Sequence, residues 1–205
     1  MKITAIEPKK KGLSALYIDG EFALKIDTET VLSYRIDVGD EIDDEKLKEV
    51  IDASNIKRAK DKAMWLISYR DHSKKELIDK VAKDSSYEAA TKAVERLQEL
   101  GLINDERYAK RYATDLLSLK HLSKSAAVRK LCDKGIDRDL ARDTVDELDV
   151  DIYENIRAVI NKKYSKNLFD EKGRRRCVNG LVRLGYSYSD IKAVLSEYTD
   201  IDYCD

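Results

Sequence analysis

The sequence predicts a mainly α-helical protein: three tandem three-helix repeats in an elongated, curved arrangement, preceded by a small N-terminal β-hairpin and helix (an α+β extension). Three observations support this prediction. Charged residues make up 39% of the 205 residues, with only 8 Gly and 1 Pro, which is typical of a helix-rich chain with short loops. From about residue 55 onward the sequence repeats with a period of fifty residues. Residues 1–55 lack that period and show strand-like alternation instead.

The N-terminal extension, residues 1–55, predicts a small sheet followed by a helix. Short apolar runs at residues 3–6 and 13–18 indicate two strands. Asp19-Gly20 is a strong tight-turn dipeptide, and the following strand alternates apolar and polar residues through Phe22, Leu24 and Ile26. Residues 43–55 have one apolar face and predict a helix.

The fifty-residue period predicts three units, over residues 56–103, 104–150 and 151–205. Ser73, Ser123 and Gly173 each open a helical segment, and the pairs Leu77-Ile78, Ala127-Val128 and Cys177-Val178 follow at equal spacing. Capping-box patterns begin at Ser73 and at Ser85. Stacked units of this kind build extended surfaces that bind large partners, and they seldom contain a catalytic pocket.

Composition argues against several classes of function. The net charge is −1, and no apolar run approaches the length of a membrane span or a signal peptide, so we expect a cytoplasmic protein without a membrane contact. Cys132, Cys177 and Cys204 lack C-x-x-C spacing, which argues against a disulfide framework and a zinc site. No nucleophile–base pair or phosphate-binding glycine loop occurs. We therefore expect no enzyme, no metal, no cofactor and no small-molecule substrate.

A basic segment is the sharpest functional signal in the chain. Residues 157–183 contain nine Lys and Arg against two acidic residues. At 100° per residue, Lys172, Arg176 and Arg183 share one helix face with Asn179, opposite Cys177. The same segment supplies further candidates for partner contact, namely Arg175, Lys162 and Lys163. The matching positions of the other two units are not basic as a set, so the stripe does not belong to the packing pattern of the repeat.

Two interpretations of the basic stripe remain open. It can contact phosphates or an acidic protein groove. It can equally be a solvated face that is balanced by the acidic residues Asp200, Asp202 and Asp205. Three-helix units also resemble helix-turn-helix modules, but the second unit has ten basic and ten acidic residues, a weak signal for DNA readout. Tyr186 and Tyr188 can stack on a base or pack into the next helix, and packing is favoured.

Several short motifs together resemble one family. Residues 70–77 (RDHSKKEL) are similar to its R-x-H-S-x-x-E-L stretch, and residues 104–109 (NDERYA) to its D-x-x-[FY]-A signature. Similar matches occur at Lys134-Gly135-Ile136, Lys163-Tyr164 and Gly185-Tyr186 with Ile191 behind, and the N-terminal hairpin resembles the extension of Gram-positive members. By their order and spacing the chain resembles the RecX family, regulators of the RecA recombinase. It departs from the family pattern at Leu116-Leu117, Leu122-Ser123 and Leu184.

The resemblance implies a non-enzymatic regulator in DNA repair, homologous recombination and the SOS response. Family members lie along the groove of the RecA–DNA filament, span neighbouring protomers and restrain strand exchange, ATP hydrolysis and co-protease activity. The expected partners are the RecA filament and single- or double-stranded DNA, reached directly or through RecA. The competing hypotheses are a stand-alone DNA-binding module of helix-turn-helix-like units and a scaffolding role with another partner.

Overall fold

The N-terminal part of the chain is a three-stranded antiparallel sheet in the order β1-β2-β3. The fold comes from a computed structural model, which describes residues 1–168 and 170–199. The strands are β1 (Ile3–Lys9), β2 (Leu13–Ile18) and β3 (Glu21–Asp27). Asp19 and Gly20 both have positive φ, 52° and 91°, as the predicted tight turn requires. The predicted hairpin is therefore confirmed.

A short helix, α1 (Thr28–Ser33), follows the sheet and was not predicted from the sequence. The Asp27 carboxylate caps it by accepting hydrogen bonds from the amides of Glu29 and Thr30. The Asp27 amide donates in turn to the buried Ser54 hydroxyl at 2.7 Å, which fastens the end of β3 to the next helix. Ile3, Leu16, Ile26 and Val50 are among the residues that form the core between sheet and helices.

The next helix, α2 (Asp44–Tyr69), is a single continuous helix of 26 residues. Here the sequence-based interpretation was wrong, because it placed one helix over residues 43–55 and began another after it. No Gly or Pro interrupts residues 44–69, so nothing in the backbone chemistry ends the helix at residue 55. The boundary predicted between residues 55 and 56 thus falls inside α2, which contacts the sheet with one part and the first repeat with another.

The first repeat is completed by α3 (Lys74–Val81) and α4 (Tyr87–Glu99). Ser73 caps α3 as predicted, with its hydroxyl 3.1 Å from the Glu76 amide. The cap of α4 is Ser86, which accepts from Ala89, and not the predicted Ser85. The Ser85 hydroxyl donates instead to the Val81 carbonyl at the end of α3. One serine therefore closes α3 and its neighbour opens α4.

The second and third repeats have the same order of elements. The second contains α5 (Asp105–Thr114), a π-helical segment (Asp115–Leu119), α6 (Lys124–Asp133) and α7 (Arg138–Asp146). The third contains α8 (Ile152–Lys163), a 3-10 turn (Ser165–Asn167), α9 (Glu171–Arg183) and α10 (Tyr188–Thr199). The predicted α-helical class with a small N-terminal sheet is confirmed.

Helix α9 begins earlier than the period predicts. Ser123 caps α6 at the predicted place, but the equivalent Gly173 lies within the first turn of α9. Gly173 has no side chain to act as a cap, and the Asp170 carboxylate accepts the hydrogen bond from the Gly173 amide instead. Helix α9 is therefore longer than α3 or α6 at its N-terminal end, and this extra turn carries Lys172.

The chain forms two compact units, Met1–Asn104 and Asp105–Asp205, and the second unit contains both the second and third repeats. Inside that unit the two repeats meet at the turn between α9 and α10. The Ser123 amide donates to the Leu184 carbonyl at 3.0 Å, and the Tyr186 hydroxyl donates to the His121 carbonyl at 2.9 Å. Gly185 has φ +93°, and a Cβ added there would collide with the Ser123 hydroxyl and Ala126.

A second group of hydrogen bonds joins the same two repeats on the α8 side. The Asn155 side-chain amide donates to the Leu117 carbonyl at 3.0 Å, and its oxygen lies 2.8 Å from Nδ1 of His121. The π-helical segment therefore presents a carbonyl to α8, and the loop after it presents His121. Together the two groups of bonds fix how the third repeat packs on the second.

We expect proline at position 55 to disrupt α2. Asn55→Pro removes a helical hydrogen bond and clashes with the preceding turn, so the free energy of unfolding should fall by about 3 kcal/mol or more. Asn55→Ala is the matched control and should change it by less than about 1 kcal/mol. Urea unfolding followed by circular dichroism measures both variants. Equal stability of the two would contradict a continuous helix.

We expect Gly185→Ala to destabilise the second unit more than backbone strain alone explains. Gly101 also has positive φ, but a Cβ there meets no atom within 4 Å, so Gly101→Ala serves as the control. The control should lose about 1–2 kcal/mol from left-handed strain, and Gly185→Ala about 1–3 kcal/mol more from the collision with Ser123 and Ala126. Denaturant titration of both variants gives the comparison, and equal losses would argue against the close packing at residue 185.

Candidate interface on the third repeat

Helix α9 has one thoroughly buried side. Gly173, Cys177 and Leu181 are buried and recur at spacings of four residues, as one face of a helix requires. Cys177 and Leu181 belong to a core with α8 and α10, whose buried members include Ile156, Ile160, Ile191 and Val194. The rotation of α9 about its own axis is therefore set by packing, which determines the side chains that face solvent.

The predicted basic stripe lies on the opposite, solvent-exposed side of α9. Lys172, Arg176 and Arg183 are all exposed, together with Asn179, as the helical wheel predicts. Arg175 is exposed as well and lies at the margin of this face, about 100° from Arg176. Lys162 and Lys163 are exposed on another element, the C-terminal end of α8. The structure thus groups three of the six candidates on one face, places one beside it and assigns two to α8.

The stripe residues have no intramolecular ion-pair partner among residues 1–168 and 170–199. The side chains of Lys172, Arg176 and Arg183 appear in none of the salt bridges there. The acidic residues proposed to balance them, Asp200, Asp202 and Asp205, lie outside the described residues. An unpaired cation keeps its full attraction for an external anion, because no internal carboxylate neutralises it.

Two other arginines of the same basic segment have structural partners. Arg157 of α8 forms a two-pronged ion pair with Glu197 of α10, with both N···O distances at 2.9 Å. This pairing raises the pKa of the Arg157 guanidinium and lowers that of the Glu197 carboxyl. The Arg174 Nε donates to the Leu168 carbonyl at 2.8 Å, which holds the segment before α9 against the helix. These two side chains stabilise the fold of the third repeat, and we do not include them in the candidate interface.

The tyrosine after Gly185 packs rather than stacks on a ligand, as favoured from the sequence. Tyr186 is 5% exposed, and burial raises the pKa of its phenol to about 12. Tyr188, two residues on, is exposed at the start of α10. Sequence inspection missed the partner of Tyr186, the His121 carbonyl, because the two residues come from different repeats and share no motif.

Gly180, in the middle of α9, marks a close contact that the sequence interpretation also missed. A Cβ at this position would collide with the hydroxyl end of Tyr164, the residue at the C-terminal end of α8. A glycine inside a helix is the one sequence signal for such a contact. The end of α8, which carries Lys162 and Lys163, is therefore packed directly against α9.

Within residues 1–168 and 170–199, no cluster of three or more His, Cys, Asp or Glu side chains is arranged to hold a metal ion. No helix there combines the length and the apolar character that crossing a bilayer demands. Cys204 lies outside these residues.

The small sheet and the tandem three-helix repeats define a mainly helical repeat protein, and α9 gives it an exposed cationic face. Comparison with known proteins gives two matches to domains of one family. Residues 1–43 match the regulatory protein RecX N-terminal domain, and residues 104–145 match the RecX second three-helix domain. Both matches are to domains of the regulatory protein RecX.

Named relatives match over nearly the whole chain, and two solved structures share its fold. The regulatory protein RecX of Clostridioides difficile (strain 630) is 28% identical, over 99% of this chain and 98% of its own. That of Clostridium perfringens (strain 13 / Type A) is also 28% identical, over 98% of each. A crystal structure of regulatory protein RecX superposes with a TM-score of 0.66 at 21% identity, covering 94% of this chain and 98% of that one. The RecX structure from Lactobacillus salivarius gives 0.57 at 24% identity, covering 71% and 97%.

We expect Cys177 to be nearly inert towards thiol reagents in the folded protein. Burial raises the pKa of its thiol to about 11, so at pH 8 the reactive thiolate is scarce. In a variant that retains only Cys177, reaction with a disulfide reagent should be about a hundredfold slower in the native state than in urea. A variant that retains only the half-buried Cys132 is the control. Equal rates for the two native thiols would contradict the burial of this side of α9.

Proposed function

We propose that this protein regulates the RecA recombinase by binding the RecA–DNA filament and mostly inhibiting it, without catalytic activity of its own. Similarity to RecX proteins supports this proposal, since the relatives carry the name regulatory protein RecX. Its action covers recombination, ATP hydrolysis and co-protease activity. One observation carries the assignment of the surface: a cationic stripe that is unpaired among the described residues and has no counterpart at the matching positions of the other two repeats.

The proposed contact is made by Lys172, Arg176 and Arg183 of α9. These side chains meet acidic protein side chains or DNA phosphates in the filament groove, and Arg175, Lys162 and Lys163 extend the surface. Their exposure supports a direct contact, and the firm packing of α9 and of the junction at Gly185 supports a preformed one. A preformed surface loses little side-chain and backbone freedom on binding, which favours affinity.

The test is RecA ATPase activity on single-stranded DNA with this protein added. The wild-type chain should inhibit the ATPase. The triple variant Lys172→Glu, Arg176→Glu and Arg183→Glu should remain folded and inhibit at least about tenfold less well, because three favourable charge contacts become repulsive. A matched control reverses three exposed cations of the second repeat, Lys130, Arg138 and Arg142, with the same change in net charge. Undiminished inhibition by the folded α9 variant would refute the assignment of the surface.

The same assay separates filament binding from the competing hypothesis of a stand-alone DNA-binding module. A protein that only sequesters DNA loses its inhibition when single-stranded DNA is in excess over RecA, whereas a filament ligand retains it. A pull-down with immobilised protein and purified RecA gives the second criterion. Failure to retain RecA, together with inhibition that excess DNA relieves, would favour the DNA-binding module.

A further inference from the structure

A second surface of unusual composition lies on the C-terminal half of α2, in the first unit. Trp65 is 52% exposed and Tyr69 is 72% exposed. Their ring centroids lie 4.8 Å apart at an interplanar angle of 68°, so the two rings form an edge-to-face pair. Neither ring belongs to the core formed by α2, α3 and α4. Two adjacent exposed aromatic rings serve no evident packing purpose, and exposed apolar groups of this kind commonly mark a binding surface.

Cationic side chains share the helix face of the two rings. At 100° per residue, Arg58, Lys62, Trp65 and Tyr69 fall within about 60° of one another. The Lys62 ammonium lies 5.0 Å from the centroid of the Trp65 ring, within the range of a cation–π contact. Arg58 is exposed and takes part in no ion pair within the part of the chain that the structure describes. The stripe extends about 16 Å along the helix axis, from Arg58 to Tyr69.

A cleft of about 420 Å³ opens beside the cationic end of this stripe. Arg58 and Lys62 line one side of it, and Asn55, Val81, Asp84 and Ser85 contribute polar and apolar groups to the rest. The volume lies within the usual range of small-ligand pockets. The cleft therefore combines hydrogen-bonding groups, an apolar wall and positive charge next to two exposed rings.

The local charge favours an anionic ligand. Residues 57–70 contain five basic residues and one acidic residue. That acidic residue, Asp61, is 2.7 Å from the Lys57 ammonium, and Asp84 is 3.1 Å from that of Lys62. The carboxylates near the stripe are thus partly neutralised, while Arg58 keeps its charge for an external partner.

We infer that the stripe of Arg58, Lys62, Trp65 and Tyr69 binds a single strand of nucleic acid, with bases stacked on the two rings and phosphates at the two cations. Stacked aromatic rings within a cationic track are the common means by which proteins bind single strands without sequence preference. Duplex bases are already stacked on one another and do not offer their faces to a protein ring. An acidic peptide would use the cations but would leave both rings without a role.

This inference does not rest on the proposed regulation of RecA, because it concerns another unit and another kind of contact. The α9 stripe carries charge alone and no aromatic ring on its face. The α2 stripe adds stacking. Stacking depends less on the salt concentration than a phosphate contact does. The two surfaces can therefore be tested separately in the full-length protein.

The experiment uses Trp65 as its own reporter, because it is the one tryptophan of the chain. Oligothymidylate is titrated into the full-length protein without RecA while tryptophan emission is recorded. We expect saturable quenching. Tyr69→Ala should weaken the apparent affinity about tenfold through lost stacking. Arg58→Ala should lower the slope of log affinity against log salt by about 0.7, the value for one phosphate contact to a single strand.

Matched controls separate this surface from general electrostatic effects. Lys60→Ala removes a cation from another face of the same helix, and Tyr188→Ala removes a similarly exposed ring from α10. Both should bind as the wild type does. Asp84→Asn removes the carboxylate that pairs with Lys62 and should tighten binding a fewfold. The triple α9 variant should still show quenching, because all four residues of the α2 stripe are unchanged in it.

Three results would overturn the inference. The first is unchanged tryptophan emission at saturating oligonucleotide. The second is quenching that Tyr69→Ala leaves intact but the α9 variant abolishes, which would place the strand on the third repeat. The third is an emission change that depends on protein concentration without DNA, which would indicate that the rings contact a second copy of the chain. Loss of quenching by Tyr69→Ala, with RecA inhibition retained, supports the inference and leaves the proposed function unaffected.

Discussion

The organisation of the second unit depends on the close approach of the α9–α10 turn to the start of α6. Ser123 takes part in both repeats: its hydroxyl accepts from the Ala126 amide as the cap of α6, and its amide donates to the Leu184 carbonyl at the end of α9. Gly185 makes this contact possible, because it has positive φ and no side chain to fill the space. One residue of the second repeat thus begins a helix and also fixes where a helix of the third repeat ends.

The arginines of the third repeat have two different roles, which a count of charges does not reveal. Arg174 and Arg157 are engaged with Leu168 and Glu197, so their charge and hydrogen-bonding capacity are used within the repeat. Arg176 and Arg183 project from the same repeat with no such partner in the described residues. The nine basic residues of the segment therefore overstate the charge available to a ligand. Three of the available charges, those of Lys172, Arg176 and Arg183, share one exposed face of α9, where the helix holds them in register.

The sequence predicts local features of this fold well, because caps and turns are decided by neighbouring residues. Ser73, Ser123 and the Asp19-Gly20 turn act as expected. Features set by distant partners were missed. In α2, Val50 faces the sheet while Ala59, nine residues on, faces the first repeat, and the two lie about 180° apart on the helix. In the sequence, this switch of the buried face from one side of the helix to the other resembles a boundary between two helices, although the helix is continuous. Sequence patterns also do not reveal that Trp65 is exposed, since apolar residues are normally assigned to a core.

Neither candidate surface follows the fifty-residue period, and this separates binding from folding in the molecule. The positions that correspond to Trp65 in the later repeats are Asp115 and Ser165, and those that correspond to Arg176 in the earlier ones are Ala126 and Glu76. Buried positions such as Leu77 and Leu131 are constrained by packing, so each repeat needs an apolar residue there. Exposed positions carry no such constraint, and residues concentrated there in a single repeat are not required by the fold. The cationic face in the third repeat and the cationic–aromatic face on α2 are therefore the two surfaces for which we propose partners.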